Sequence, residues 1–309
     1  MSRFIVHDSS VDGIDRRGFL KCMAWAGTGV VWTIEGGIAT SRAFGQKANG
    51  KSALTFVQIS DSHIGFNCPA NPDVTATLQA SIDKIRALET PPAFILHTGD
   101  LTHGAHPAEF DTLAQMMTGA GQVFYVPGEH DTTDDGKAYL ERYGKGTKGR
   151  GWYSFDEDGV HFVGLSNVMV LDGLGSLGAD QLEWLKDDLA GRSSSTPVVI
   201  FAHIPLWSVY PQWGWGTEDS AEALSYLKRF GSVTVLNGHI HQVMQKVEGN
   251  VTFHTAMSTA FPQPAPGAAP SPGPMKVPAE QLRTVLGITE VQFQRGTKPL
   301  AIVDSPLQK

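Results

Sequence analysis

Cysteine, basic charge and long apolar runs are all scarce in this sequence, and each scarcity removes a class of protein. Only Cys22 and Cys68 occur in 309 residues. A chain cut beyond Cys22 would keep Cys68 alone and could hold no internal disulfide, even in an oxidising compartment. The apolar run at residues 23–34 is Gly-rich and closed by Glu35. It is too short to cross a bilayer, so no stable membrane anchor is expected. Lys and Arg number 24 against 31 Asp and Glu, a formal charge of −7. That balance disfavours non-specific binding to nucleic acid or to an anionic membrane. What the chain does have is length and 41% hydrophobic residues, enough to bury the core of one large α/β domain or two small ones.

The N-terminus carries its own signal. Asp15-Arg16-Arg17-Gly18-Phe19-Leu20-Lys21 precedes the 23–34 run, and the pair resembles a twin-arginine export signal, with Asp15 where such signals often begin with Ser or Thr. Ser41-Arg42-Ala43 puts small residues at the two positions a signal peptidase reads. Residues 1–43 are therefore expected to be removed, leaving 19 basic and 27 acidic residues and a charge of −8. The resemblance implies the twin-arginine export machinery as a partner and a periplasmic or otherwise exported location. An amphipathic helix that stays attached is the alternative. Cys68, five residues past His63, reads as an inert, partly buried thiol.

Beyond residue 43 the pattern alternates between β-branched runs and helical spacing. Residues 54–59 run into Asp61, 94–97 into Gly99-Asp100, 123–126 into Gly128-Glu129, 198–202 into His203, and 233–236 into Gly238-His239. Functional groups in α/β sheets gather just beyond the carboxyl ends of strands, so five apolar runs ending on acidic or imidazole residues describe one site. Helices are expected over 74–89, 107–118, 179–190 and 220–230, with Pro107 and Asp219 as start signals. Hairpins are expected over 152–165 and over 243–254, the second turning at Gly249-Asn250. Strands in this mixed order suggest two facing sheets with helices outside. Residues 261–278 are rich in Pro, Ala, Gly and Ser and read as a tether or as a strap over the surface. Two further strands are expected over 285–293 and 300–303. No internal repeat is present.

Five motifs follow in order: Asp61-x-His63, Gly99-Asp100-x-x-His103, Gly128-Glu129-His130-Asp131, a strand ending at His203, and Gly238-His239-x-His241. Singly each is weak, since a lone strand-terminal His is more often a hydrogen-bonded structural residue. In this order they closely resemble the calcineurin-like metallophosphoesterase superfamily, over roughly residues 54–261, with Gly178-Ala179-Asp180-Gln181-Leu182-Glu183-Trp184-Leu185 similar to the helix before its lone-His strand. The resemblance implies an α/β fold of two facing mixed β-sheets flanked by helices, a four-layer αββα sandwich. Residues 44–260 would form that domain, and 261–309 a Pro-rich segment and C-terminal extension of it.

The resemblance also implies a ligand set. Asp61, His63 and His241 would hold one metal ion, His203 and His239 a second, and Asp100 would bridge them, with a shared water losing its proton to become the nucleophile. His130 would serve the leaving group as general acid or stabilise the phosphoryl group, with Asp131 orienting its ring. Gly99, Gly128 and Gly238 would turn the chain sharply off each strand. The implied activity is hydrolysis of a phosphate mono- or diester, with a small phosphate ester as substrate.

Glu129 departs from the pattern, standing where the family has an Asn whose amide oxygen binds the second ion. As a ligand it would give two divalent ions three carboxylates instead of two, and a trivalent ion would restore the usual charge. Fe or Mn is therefore expected, with Zn left open. If Glu129 instead swings away, the chain would be a catalytically weak metal-binding protein of the same fold. His103 is expected to meet substrate, to support the ligands, or to make a helix-start or loop hydrogen bond, and His97, His161 and His254 read as structural. The aromatic loop over 204–216 is expected to wall the pocket or to pack on its own domain, with Trp207 as the residue expected to meet substrate or support the ligands.

Overall fold

The computed structural model describes residues 28–35, 38–45, 54–168, 173–293 and 300–308. Residues 1–27 and 36–37 of the expected export signal lie outside the described residues. Among the described residues no helix is long and apolar enough to cross a membrane. Strands β1 (Thr28–Glu35) and β2 (Ile38–Gly45) form an antiparallel pair.

Two sheets carry the domain. The first has the order β13-β12-β3-β4-β5, built from β3 (Leu54–Ile59), β4 (Ile95–His97), β5 (Val123–Tyr125), β12 (Gly287–Phe293) and β13 (Ala301–Pro306). Strands β3, β4 and β5 are parallel, with β5 on one edge, whereas β12 lies antiparallel to both β3 and β13. The second has the order β10-β11-β9-β8-β7-β6, from β6 (Tyr153–Glu157), β7 (Val160–Gly164), β8 (Val198–Ala202), β9 (Val233–Asn237), β10 (Gln245–Glu248) and β11 (Val251–Thr255). Here β7, β8, β9 and β11 run parallel, with antiparallel β6 and β10 on the two edges.

Alternation along each strand explains the layering, because successive side chains point to opposite faces. On β3, Phe56 faces the second sheet while Val57 and Ile59 face helices. On β8, Val199 and Phe201 face the first sheet while Val198, Ile200 and Ala202 face the other way. Both faces of each sheet are thus apolar, as expected of strands covered on two sides. The first sheet is covered by α1 (Val74–Arg86), α2 (Pro107–Met117) and α3 (Lys137–Tyr143), and the second by α4 (Ala179–Ala190) and α5 (Ser220–Leu227). The result is two mixed sheets flanked by helices.

Helix signals worked locally in two ways. Asp73 caps α1 by accepting from the Ala76 N–H at 2.9 Å, and Leu78, Ile82 and Ile85 form its buried stripe. Asp219 precedes α5 but makes no cap there. Its carboxylate accepts instead from the N–H groups of Leu177 and Gly178, which ties the start of α4 to the start of α5. The C-terminal strand begins at Gly287 because residues Ala279–Val285 form a short helix, α6.

The inter-sheet layer is aromatic. The Phe162 ring stacks on Phe155 at 4.9 Å and meets Phe56 and Phe94 edge-on at 5.2 Å each, and it has no exposed surface. Removing it leaves a cavity between sheets that cannot close without moving one of them. Phe162→Ala is expected to cost about 3–5 kcal/mol, measured as the fall in unfolding free energy in urea.

Candidate metal centre and pocket

Both sheets present the carboxyl ends of parallel strands to one edge, and the expected ligands lie there. Asp61 and His63 follow β3, Asp100 follows β4, Glu129 and His130 follow β5, His203 follows β8, and His239 and His241 follow β9. Asp61, His63, Asp100, His239 and His241 all have positive φ, from 42° to 70°. Left-handed backbone costs a non-glycine residue about 1–3 kcal/mol and clusters at functional sites. Regular bonding around the turns holds it in place: Asp61 N–H donates to Gly99 O at 3.0 Å, and His63 N–H to Asp100 O at 2.9 Å.

Ligand atoms converge in adjoining groups. In one, Asp61 Oδ1 lies 3.2 Å from His241 Nε2, which lies 3.2 Å from His63 Nε2. In the other, Glu129 places Oε2 2.8 Å from His203 Nε2 and Oε1 2.9 Å from His239 Nδ1. Asp100 Oδ2 stands between, 3.4 Å from both His63 Nε2 and His203 Nε2. Glu129 therefore points into the site and does not swing away. Two outer contacts aim the rings, since His203 Nδ1–H donates to Thr98 O at 2.7 Å and His241 Nδ1–H to Phe261 O at 2.5 Å. Their Nε2 atoms are left as lone-pair donors.

The donor set fits metal ions. His203 Nε2, both ring nitrogens of His239 and Glu129 Oε2 are buried with no aligned hydrogen-bond partner, and carboxylate with imidazole suits Mn, Fe and Zn. Electrostatics points the same way. Burial works to lower the His203 pKa, but the charges of Asp100 and Glu129 outweigh it and hold it well above the ordinary value. Burial likewise opposes ionisation of Glu129, yet His239 and His203 hold it well below the carboxylate range. Burial, then the neighbouring His241, His130 and His103, push His63 well below its ordinary value. Carboxylates packed this closely call for cations beside them.

His130 sits at the pocket edge, stacked on His103 at 4.6 Å. Its Nδ1–H donates to the His103 carbonyl at 2.7 Å, which leaves Nε2 free of that bond. Asp131 does not orient this ring, contrary to the sequence expectation. Its buried carboxylate accepts from the N–H groups of Leu101, Thr102 and Gly128 and from the Thr102 hydroxyl, so it clamps the Asp100 turn to the Glu129 turn. Burial and the Asp100 charge push its pKa up to about 7 against the pull of those donors. His103 lines the pocket, its Nδ1 lying 3.3 Å from that of His63.

Two of the three motif glycines serve close approach instead of a left-handed turn. A Cβ on Gly128 would lie 2.1 Å from Asp100 Oδ1, and one on Gly238 would lie 2.0 Å from Ser60 Oγ. His97, His161 and His254 stand outside the cluster. His97 bonds Ser62, His161 lies between Asp156 and Asp188, and His254 bonds Asp304. Cys68 is exposed, not partly buried.

A cavity of about 230 Å³ opens above the ligands. Trp207 is no part of it: the ring is buried against Phe253 at 5.1 Å, in the layer between the second sheet and its helices. Trp213 and Trp215 form the aromatic wall instead. The Pro-rich segment is a strap, contributing Phe261, Gln263, Pro272, Gly273 and Pro274 to the lining. Gln263 Nε2 donates to His239 O at 3.1 Å, and Gln242 Nε2 reaches the carbonyls of Gln263 and Pro264. The aromatic loop is legible in the sequence, but Trp213 and Trp215, not Trp207, face the cavity. The abrupt change in composition at Phe261 was the signal for the strap.

The profile of the calcineurin-like phosphoesterase family matches residues 54–243. A 3',5'-cyclic-nucleotide phosphodiesterase of Nostoc sp. is 25% identical over 220 residues, covering 69% of this chain and 81% of that protein. A probable cyclic nucleotide phosphodiesterase of Synechococcus sp. is 28% identical over 230 residues, covering 70% and 86%. Among solved structures, a dimetal phosphatase from Danio rerio aligns with a TM-score of 0.61 and 14% identity, covering 84% of this chain and 98% of that one; at that identity the likeness is one of fold. Gly128→Ala is expected to displace Asp100 and weaken metal binding about 10–100-fold, read by titrating metal into chelator-treated protein whose circular dichroism matches wild type.

Proposed function

Because the chain belongs to the calcineurin-like phosphoesterase family and is a metal-dependent phosphoesterase, we propose that it hydrolyses a small phosphodiester of the cyclic-nucleotide kind. The observation that carries this is the joint placement of seven nitrogen- and oxygen-bearing side chains, Asp61, His63, Asp100, Glu129, His203, His239 and His241, around two adjoining points at the floor of one pocket. Asp61, His63 and His241 would hold one ion, and Glu129, His203 and His239 the other, with Asp100 shared. When bound, such a pair supplies positive charge for the phosphate oxygens and a nucleophile at neutral pH.

The chain's own groups do the rest. His130, held through its Nδ1–H by the His103 carbonyl, presents Nε2 to the pocket and would give its proton to the departing alkoxide. Asp100 and Glu129 favour the protonated ring, raising its pKa against the effect of burial. Asp131 acts at one remove, fixing the turn that carries His130. The relatives named as cyclic-nucleotide phosphodiesterases support the diester choice.

Glu129 sets the metal preference. Three carboxylates around two ions favour a trivalent partner, so an iron-containing or manganese-rich centre is proposed. Export is proposed on the strength of Arg16-Arg17 and the apolar run that follows, with the ions inserted before translocation to the periplasm.

Three measurements test the site. Chelation is expected to abolish bis(p-nitrophenyl) phosphate hydrolysis, and Mn or Fe to restore it. His130→Ala is expected to lower kcat about 10²–10⁴-fold with metal content unchanged. Glu129→Asn is expected to shift the metal found by elemental analysis toward zinc. A fully active wild type holding only zinc would overturn the iron or manganese assignment, and folded, metal-loaded protein without turnover would favour the weak metal-binding protein.

A further inference from the structure

The walls of the pocket differ sharply from its floor. The floor is imidazole and carboxylate, whereas the walls are Trp213, Trp215, Phe261, Pro272, Gly273 and Pro274, with Gln263 the one polar side chain. Among the described residues neither Lys nor Arg lines any part of it. A phosphate monoester near neutral pH brings close to two negative charges, and a diester brings one. With no lysine or arginine among the described lining residues to meet a second charge, with His130 committed to the leaving group, and with Asp100 and Glu129 in the lining, the surroundings of the metal site disfavour the more highly charged ester.

Trp213 is built to meet something flat. It closes the short 3₁₀ turn Pro211–Trp213, is only partly buried, and is followed by Gly214 at φ 74°. Its ring is propped edge-to-face on both sides in sequence, by Tyr210 at 5.1 Å and Trp215 at 5.1 Å. The loop is pinned by the exchange of backbone bonds between Tyr210 and Trp215, at 3.1 and 3.2 Å. The strap opposite is equally fixed. Its two limbs are tied where Met275 N–H donates to Pro262 O at 2.8 Å, and Asn71 Nδ2 donates to Ala260 O at 2.6 Å. An indole held rigid at a pocket wall, facing an apolar strap, loses little freedom when a ring stacks on it.

We infer that Trp213 determines specificity by stacking on a planar group of the substrate, and that the enzyme takes monoanionic phosphodiesters bearing such a ring in preference to phosphomonoesters. The inference rests on the phosphoesterase assignment of the same site and deepens it. Trp213 touches the ring and not the reacting phosphate, so its loss acts on binding and leaves the chemical step alone.

The experiment compares wild type, Trp213→Ala and Trp213→Phe in metal-loaded full-length protein. The substrates are cyclic AMP, bis(p-nitrophenyl) phosphate, p-nitrophenyl phosphate and glycerophosphoglycerol, a diester with neither ring nor cation. In wild type, kcat/KM for bis(p-nitrophenyl) phosphate is expected to exceed that for the monoester. Trp213→Ala is expected to raise KM for both ring-bearing diesters about three- to tenfold, with kcat kept and glycerophosphoglycerol unaffected. Trp213→Phe restores most of the loss. Adenosine, which carries no phosphate, is expected to inhibit wild type competitively and Trp213→Ala about three- to tenfold less well. Preference for the monoester, or an equal KM change on every diester, overturns the inference while leaving the phosphoesterase assignment standing. Absence of turnover on all four substrates, in folded and metal-loaded wild type, overturns both.

Discussion

Like charges crowded where water is scarce set the terms for the whole site. Ligand atoms of Asp61, Asp100 and His203 fall within 4.8 Å of one another, as do those of Asp100, Glu129 and His130. At that separation two carboxylates repel by roughly 3.5 kcal/mol with an effective dielectric of 20. Such a cluster is stable only with positive charge inside it. The surrounding imidazoles can carry that charge as protons, which is why His203 is drawn above its ordinary pKa. Metal ions carry more of it and free the rings to act as ligands.

The backbone strain at the strand ends follows from the same requirement. To bring carboxylates and imidazoles from two sheets to a common point, the chain must turn abruptly within a residue or two of leaving each strand. Positive φ at Asp61, His63, Asp100, His239 and His241 is how it turns. The sheets absorb the cost. Gln58 donates to Thr98 Oγ1 and to Asn237 O, joining the first sheet to the second directly under the ligands, and the phenylalanine layer locks the two sheets at a fixed separation. Asp131 supplies the remaining brace by satisfying four donors from two turns.

The positions of these turns were readable in the sequence because each strand is a short apolar run that stops on a polar residue. Fully buried parallel strands have nothing else to say, so their ends stand out. Side-chain direction was harder to read. Trp207 and Trp213 sit in one loop, and which of them faces the cavity depends on the Tyr210–Trp215 bridge, a contact that no local pattern announces. In sequence Asp131 reads as a partner of its neighbour His130, whereas three of its four donors, on Leu101 and Thr102, lie about thirty residues back. Helices α3 and α6 have seven residues each, too few for a periodic stripe to declare itself. The strap was visible as a change of composition, but its place over the site depends on carbonyls held by His241, Gln242 and Asn71.

The matched family profile stops at residue 243, yet the first sheet depends on what comes much later. Strand β12 pairs with β3 over Thr289–Phe293 and buries its outer side. Without that partner β3, the strand that leads into Asp61 and His63, would become an open edge with apolar side chains on both faces, Leu54 and Phe56 on one and Val57 and Ile59 on the other. Open apolar edges recruit other chains. Strand β12 thus covers an edge that would otherwise stand open to other chains, and any shortened form of the protein should keep it.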